Sequence, residues 1–212
     1  MGTISKGILG GFSGKVGNVI GGNWKGIDYM RSKANRRNTK PTQKQLEQQV
    51  KFALAVRFVQ TFTGLTEISF GDFAVRKTGF NSAVSYTLKN AITGMYPAYS
   101  IQYADVLVSR GDLPNVLAPS VTVGAGGLVT WAWTDNSGTG IARATDKALL
   151  LAYCPAFNQC IYTTGSASRN AVSDGLNLGS FSGQDVHCWI GFISEDGQNV
   201  ASSLYNGMHR VS

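Results

Sequence analysis

The chain has 212 residues, of which 43% are hydrophobic and only 15% charged, where about a quarter is usual. Its 19 Lys and Arg outnumber 12 Asp and Glu, giving a net charge of +7. Three cysteines (Cys154, Cys160 and Cys188) are too few for a disulfide framework, and no run approaches the roughly twenty apolar residues of a membrane span.

In chain order, residues 1–38 read as an extended arm punctuated by glycine. Gly7, Gly10, Gly11, Gly14 and Gly17 interrupt every apolar stretch, and Lys15 falls where a signal peptide would continue its roughly seven to fifteen apolar residues. The expectation is therefore synthesis in a cytosol without an N-terminal signal, and residence in a virion or particle if the chain assembles. Val16, Val19 and Ile20, then Gly21-Gly22-Asn23, then Trp24, Ile27 and Tyr29 predict a hairpin with its turn at the two glycines. Ordered glycine is entropically costly. Such an arm makes sense where backbone passes close to other backbone, as in pairing with a neighbouring subunit. Lys15, Val16, Val19, Ile20, Trp24 and Tyr29 are the candidate assembly residues.

The charge is uneven. Residues 1–60 hold eleven Lys and Arg against Asp28 and Glu47, while residues 61–212 hold eight against ten acids. The run 31–45 is cationic without an acid, and Arg31, Lys33, Arg36, Arg37, Lys40 and Lys44 are its candidate phosphate contacts. Trp24 and Tyr29 flank it as stacking groups. A solvated surface segment is the plainer account of so short a run. Docking of the basic arm on the body of another copy is a third.

Thr42 and Gln45 form a capping box after Pro41. Leu46, Val50, Ala53, Leu54, Phe58 and Phe62 then predict one helix over 42–63, about 33 Å long, with Gly64 as its stop. A second helix is predicted at 81–93. From Tyr99 the period changes to two, through Ile101, Tyr103, Val106 and Val108. Strands follow at 120–124, 128–134, 147–154, 158–163, 176–181, 185–194 and 198–205, with turns between them. Trp131, Trp133, Trp189 and Phe192 are the predicted core anchors. Seven short strands in about a hundred residues predict an antiparallel β-sandwich. The expected fold is mainly β (α+β): a basic glycine-rich hairpin arm (1–40), a helical section with two helices and one strand (41–114), and an immunoglobulin-like or jelly-roll-like sandwich (115–212).

Chemistry-bearing motifs are thin. The early glycines neither follow a strand nor end in a P-loop Gly-Lys-Ser/Thr. Cys154, Cys160, His187 and Cys188 fit no common zinc spacing, and adjacent strand residues face opposite ways. His187 and His209 give a catalytic triad little to build on. Asp105, Asp112, Asp135, Asp146, Asp174, Asp185, Glu195 and Asp196 fall mostly in turns, where Asp bonds backbone. Arg110-Gly111-Asp112 spells an adhesion tripeptide that arises readily by chance. The sequence identifies no catalytic residue, metal, cofactor or small-molecule substrate.

The blocks GFSGKVGNVIGGNWKGIDYMRSK, NTKPTQKQLEQQVKFALA, FNSAVSYTLKNAITG, SRGDLPN and VTWAWTDNSGTGIARATDKALLLAY span nearly the whole chain in a specific order. They resemble a family of uncharacterised bacterial proteins of about this length, a domain of unknown function. That resemblance implies no activity and no site residue. More loosely, a basic arm ahead of a sandwich is similar in layout to small viral and phage coat proteins. The expected function is a non-enzymatic structural protein that self-assembles into a virion-like or phage-derived particle or filament. Its partners would be itself and, through the arm, nucleic acid. A nucleic-acid-binding protein is the alternative. A carbohydrate- or cell-surface-binding sandwich with Trp131, Trp133 or Trp189 exposed is the weaker one.

Overall fold

A computed structural model describes the chain apart from residues 1, 5–6, 8–9, 25, 35–39 and 72–76. It divides into two compact units, Met1–Thr42 and Gln43–Ser212. The fold is mainly β with three α-helices among the described residues, an α+β architecture of antiparallel sheets.

In the first unit β1 (Thr3–Ile4), β2 (Phe12–Val16), β3 (Val19–Trp24) and β4 (Ile27–Ser32) form one sheet in sequence order. The predicted turn at Gly21-Gly22-Asn23 is corrected: those residues lie inside β3. The chain instead reverses at Gly17-Asn18 and again around Gly26. Gly17 takes φ 59°, the left-handed conformation that two-residue hairpin turns require.

The second unit begins with α1 (Gln43–Gln60), α2 (Thr63–Ser69) and α3 (Gly79–Asn90). The single helix expected over 42–63 ends early. The N–H groups of Thr61 and Phe62 reach back only three residues, to the carbonyls of Phe58 and Val59, and Thr61 Oγ1 also donates to Phe58 O at 2.7 Å. Gly64 lies in α2 rather than stopping α1. The buried face is also turned from the one expected. Ala55, Phe58, Val59, Phe62 and Leu65 are buried, whereas Val50 and Ala53 are exposed. Helix α3 starts two residues before its predicted limit, because Thr78 caps it by accepting from Asn81 N at 3.2 Å. It ends at Asn90, where β5 (Ile92–Met95) turns back on β6 (Ala98–Ile101). The strand expected to run on to Val108 stops there. Tyr103–Asp105 form a 3-10 turn, and Val106 and Val108 are buried beyond it.

The remaining strands are β7 (Leu117–Val123), β8 (Leu128–Thr134), β9 (Lys147–Cys154), β10 (Gln159–Tyr162), β11 (Ser173–Asn177), β12 (Asp185–Ile193) and β13 (Leu204–Arg210). Five of the predicted strands fall within three residues of these at both ends. The one expected at 176–181 lies at β11, and the one expected at 198–205 lies at β13. They pair as a three-stranded sheet, β11-β8-β7, and a four-stranded sheet, β10-β9-β12-β13.

The central strands β9 and β12 are buried on both sides. Ala148, Leu150, Ala152, Cys154, Val186, Cys188, Ile190 and Phe192 share one hydrophobic cluster with Val129, Trp131, Trp133 and Leu176 of the three-stranded sheet. The intervening Leu149, Leu151, Tyr153, Trp189 and Ile193 join Phe58, Phe62 and Leu65 of the helical layer in a second cluster. Trp131, Trp133, Trp189 and Phe192 are core residues, as expected. The three tryptophans are consequently no platforms for a sugar.

His187 borders the second cluster. It stacks on Tyr103 at 3.8 Å between ring centres and shares a 2.7 Å hydrogen bond from Nδ1 with Tyr205 Oη. Burial pushes its pKa down from 6.5 to about 4, and the Asp185 carboxylate opposes that shift. Between those values the unfolded chain binds a proton that the folded chain declines, so stability falls as pH drops through this window. The thermal midpoint should therefore decrease from about pH 6.5 towards pH 4, with a shallower decrease for His187→Gln. Equal slopes for the two proteins would remove His187 as the cause.

Candidate functional site

Antiparallel pairing sets which side chains share a face, since residues directly opposite point the same way and neighbours along a strand alternate. Lys15 lies opposite Ile20, and Ile20 opposite Arg31; Gly22 faces Tyr29, and Trp24 faces Ile27. Lys15, Arg31, Tyr29 and Trp24 therefore converge on one face of the N-terminal sheet. The other face carries Val16, Val19 and Met30, together with Asn23 and Asp28.

The expected site residues thus regroup. Two of the assembly candidates, Val16 and Val19, stand on the apolar face. The other four (Lys15, Ile20, Trp24 and Tyr29) stand with Arg31 on the cationic one. Lys33 lies just past β4, where its N–H donates to Asn18 O at 2.7 Å. Lys40 is exposed coil, while Lys44 lies in the first turn of α1 and belongs to the second unit. Arg36 and Arg37 fall outside the described residues.

Two details organise the cationic face. A Cβ at Gly22 would come within 3.0 Å of Tyr29 Oη and 3.1 Å of its Cζ, so the missing side chain lets the phenol lie across β3. Asp28, the one acid of residues 1–42, stands on the opposite face. There its Oδ1 accepts from Asn23 Nδ2 at 2.7 Å, and Asn23 Oδ1 in turn accepts from Gly26 N at 3.0 Å. The only carboxylate of the unit is thereby held on the face opposite Lys15 and Arg31. Sequence patterning missed this sorting because it placed the turn at Gly21-Gly22. The parity of Lys15, Ile20, Gly22 and Trp24 reveals it once the turn stands at Gly17-Asn18.

The sheet has little core. Val16, Trp24, Ile27 and Met30 are 55%, 56%, 60% and 72% exposed, and Gly21 is the one fully buried residue of β2, β3 and β4. Strand β4 ends the sheet, with no partner on its outer edge among the described residues. The Lys33 N–H points inward to β3. By alternation those of Ile27, Tyr29 and Arg31 do too, and those of Asp28, Met30 and Ser32 point outward.

Elsewhere the candidates are structural. His187 and Cys188 lie on opposite faces of β12, as adjacent strand residues must. Among the described residues, no group of three His, Cys, Asp or Glu is placed to hold a metal ion. Arg110-Gly111-Asp112 is stitched to the body: Arg110 N donates to Ser69 O at 2.9 Å, Ser202 Oγ donates to Gly111 O at 3.0 Å, and Asp112 bridges to Ala201. No helix of the described residues is long and apolar enough to cross a membrane.

The chain belongs to a family of unknown function, DUF6266, whose family model matches residues 11–207. No curated protein matches it. Among solved structures it is similar to the fn3 domain of the human collagen alpha-1(XX) chain, at 10% identity over 49% of this chain and 90% of that one, with a TM-score of 0.35.

Proposed function

We propose that this is a non-enzymatic structural protein that self-assembles into a particle or filament, with the N-terminal sheet joining neighbouring copies. The observation that carries this is a sheet with an open edge and an uncovered apolar face. Edge strands offer unpaired N–H and C=O groups to another strand, and proteins ordinarily blunt them. Here β4 carries exposed Met30 on the same face as exposed Val16 and Val19, and a second copy's arm supplies both a strand and an apolar face to match. We also read the two C-terminal sheets as a β-sandwich forming the wall of the assembly. The cluster that draws side chains from both sheets supports this.

Size-exclusion chromatography with light scattering on nuclease-treated protein tests the proposal. The full chain should form large species, while a chain lacking residues 1–38 should be folded and monomeric. Met30→Pro should also dissociate it, because it deletes an outward donor of β4 and leaves the ladder to β3 intact. A full chain that runs as a 22.6 kDa monomer at low and high salt would refute the proposal, as would unchanged particles from the truncated chain.

A further inference from the structure

We infer that the Lys15–Arg31–Tyr29–Trp24 face of the N-terminal sheet is a binding platform for single-stranded nucleic acid. This goes beyond the assembly reading and stands without it, since it needs the sheet of one copy only.

Charge comes first. Residues 1–42 hold eight Lys and Arg against Asp28 alone, while residues 43–212 hold eleven of each sign. The whole net charge of the protein belongs to the unit that bears the platform, and the matching partner is a polyanion. Among the described strand residues of that unit the charge is sorted by face. Lys15 and Arg31 stand in one row across the sheet, and Asp28 is tied to Asn23 on the other side. Two such units of like charge also repel each other, so a bound polyanion would favour the assembly proposed above.

Aromatic groups select the single strand. Along β4 the side chains of Arg31, Tyr29 and Ile27 follow one another at about 6.8 Å, two residues apart. Trp24 lies opposite Ile27. A cationic row therefore borders two exposed rings on one surface, with the Tyr29 ring laid over Gly22 and Trp24 more than half exposed. Unpaired bases stack on such rings whatever their identity, while the phosphates meet the cations. A duplex hides its base faces and could use only the cations.

Trp24 supplies its own reporter, because the other three tryptophans are buried. The full chain would be titrated with an oligothymidylate of about twenty nucleotides and with a duplex of the same length. Tryptophan emission and fluorescence anisotropy would be read, and light scattering would record the oligomeric state of each sample. The single strand should quench tryptophan emission and bind at least about tenfold tighter than the duplex, since only it offers stacking. Trp24→Ala and Tyr29→Ala should each weaken binding about tenfold or more, whereas Trp24→Phe and Tyr29→Phe should retain it. Lys15→Ala with Arg31→Ala should flatten the log–log salt slope by about 1.4, at about 0.7 per phosphate. Lys89→Ala, at an exposed cation of the second unit, should bind as the parent does. Equal affinity for duplex and single strand, unmoved by the aromatic variants, would reduce the contact to phosphate attraction and overturn the platform. So would the absence of binding at low salt. Either result leaves the assembly test standing, because particle size is read separately.

Discussion

Replacing Arg169 with methionine is expected to cost about 3–5 kcal/mol, as does removal of one partner from a buried ion pair. Arg169 is fully buried, with Nη2 at 3.1 Å from Asp146 Oδ2. Nη1 donates to Asn136 Oδ1 at 2.7 Å and Nη2 to Pro114 O at 3.0 Å. Its Cζ lies 4.4 Å from the Phe192 ring centre, and its carbonyl accepts from Trp133 Nε1 at 2.8 Å. One side chain thereby pins three connecting segments to the core. Burial lowers its pKa, and the Asp146 carboxylate pulls it back up. Asp146 Oδ1 has no hydrogen-bond partner among the described residues, so without the guanidinium the buried carboxylate would be left largely uncompensated. For a unit of this size the loss is a fall of about 10 °C in the thermal midpoint. Arg169→Met combined with Asp146→Leu should recover most of it, since replacing both partners with apolar groups is often neutral. A loss below about 1 kcal/mol for the single variant would falsify this account of the cluster.

Phe58→Ala is the second large effect, at about 3–5 kcal/mol for a buried phenylalanine truncated to a cavity. The Phe58 ring lies 4.9 Å from that of Tyr153 and 5.2 Å from Phe62, with Tyr103 at 6.0 Å and Trp189 at 6.5 Å. It is the point where α1 meets the four-stranded sheet. Phe52, on the same helix, is half exposed, and Phe52→Ala should stay within about 0.5 kcal/mol. Chemical denaturation of the two variants measures the difference. If Phe52→Ala proved the costlier, the buried face of α1 would be wrong.

Period and composition made the broad architecture readable: a run of strands after residue 115, helices between the arm and that run, and Trp131, Trp133 and Trp189 in the core. What escaped depends on partners distant in sequence. The face of α1 is chosen by the aromatic surface of β9 and β12, and no periodicity within the helix distinguishes Ala55 and Val59 from Val50 and Ala53. Arg169 sits in an unremarkable polar turn. Its importance comes from Asp146, Asn136 and Pro114, which lie 23, 33 and 55 residues away. In the arm the turn lies at Gly17-Asn18 rather than at Gly21-Gly22-Asn23, so the placing of Lys15 and Arg31 on one face and Asp28 on the other appears only with the strand register.

The two-sided burial of β9 and β12 has a consequence for how the gene can change. Each of these strands is read twice, once by each hydrophobic cluster, in alternate residues. Losing or gaining a single codon within either stretch would reverse the parity and exchange the two sets of side chains. Trp189 would then be offered to the space that holds Ile190, and Tyr153 to that of Ala152. Among members of the family, lineages should therefore accumulate point substitutions in these strands while length changes collect elsewhere, above all in the exposed turn at residues 137–141.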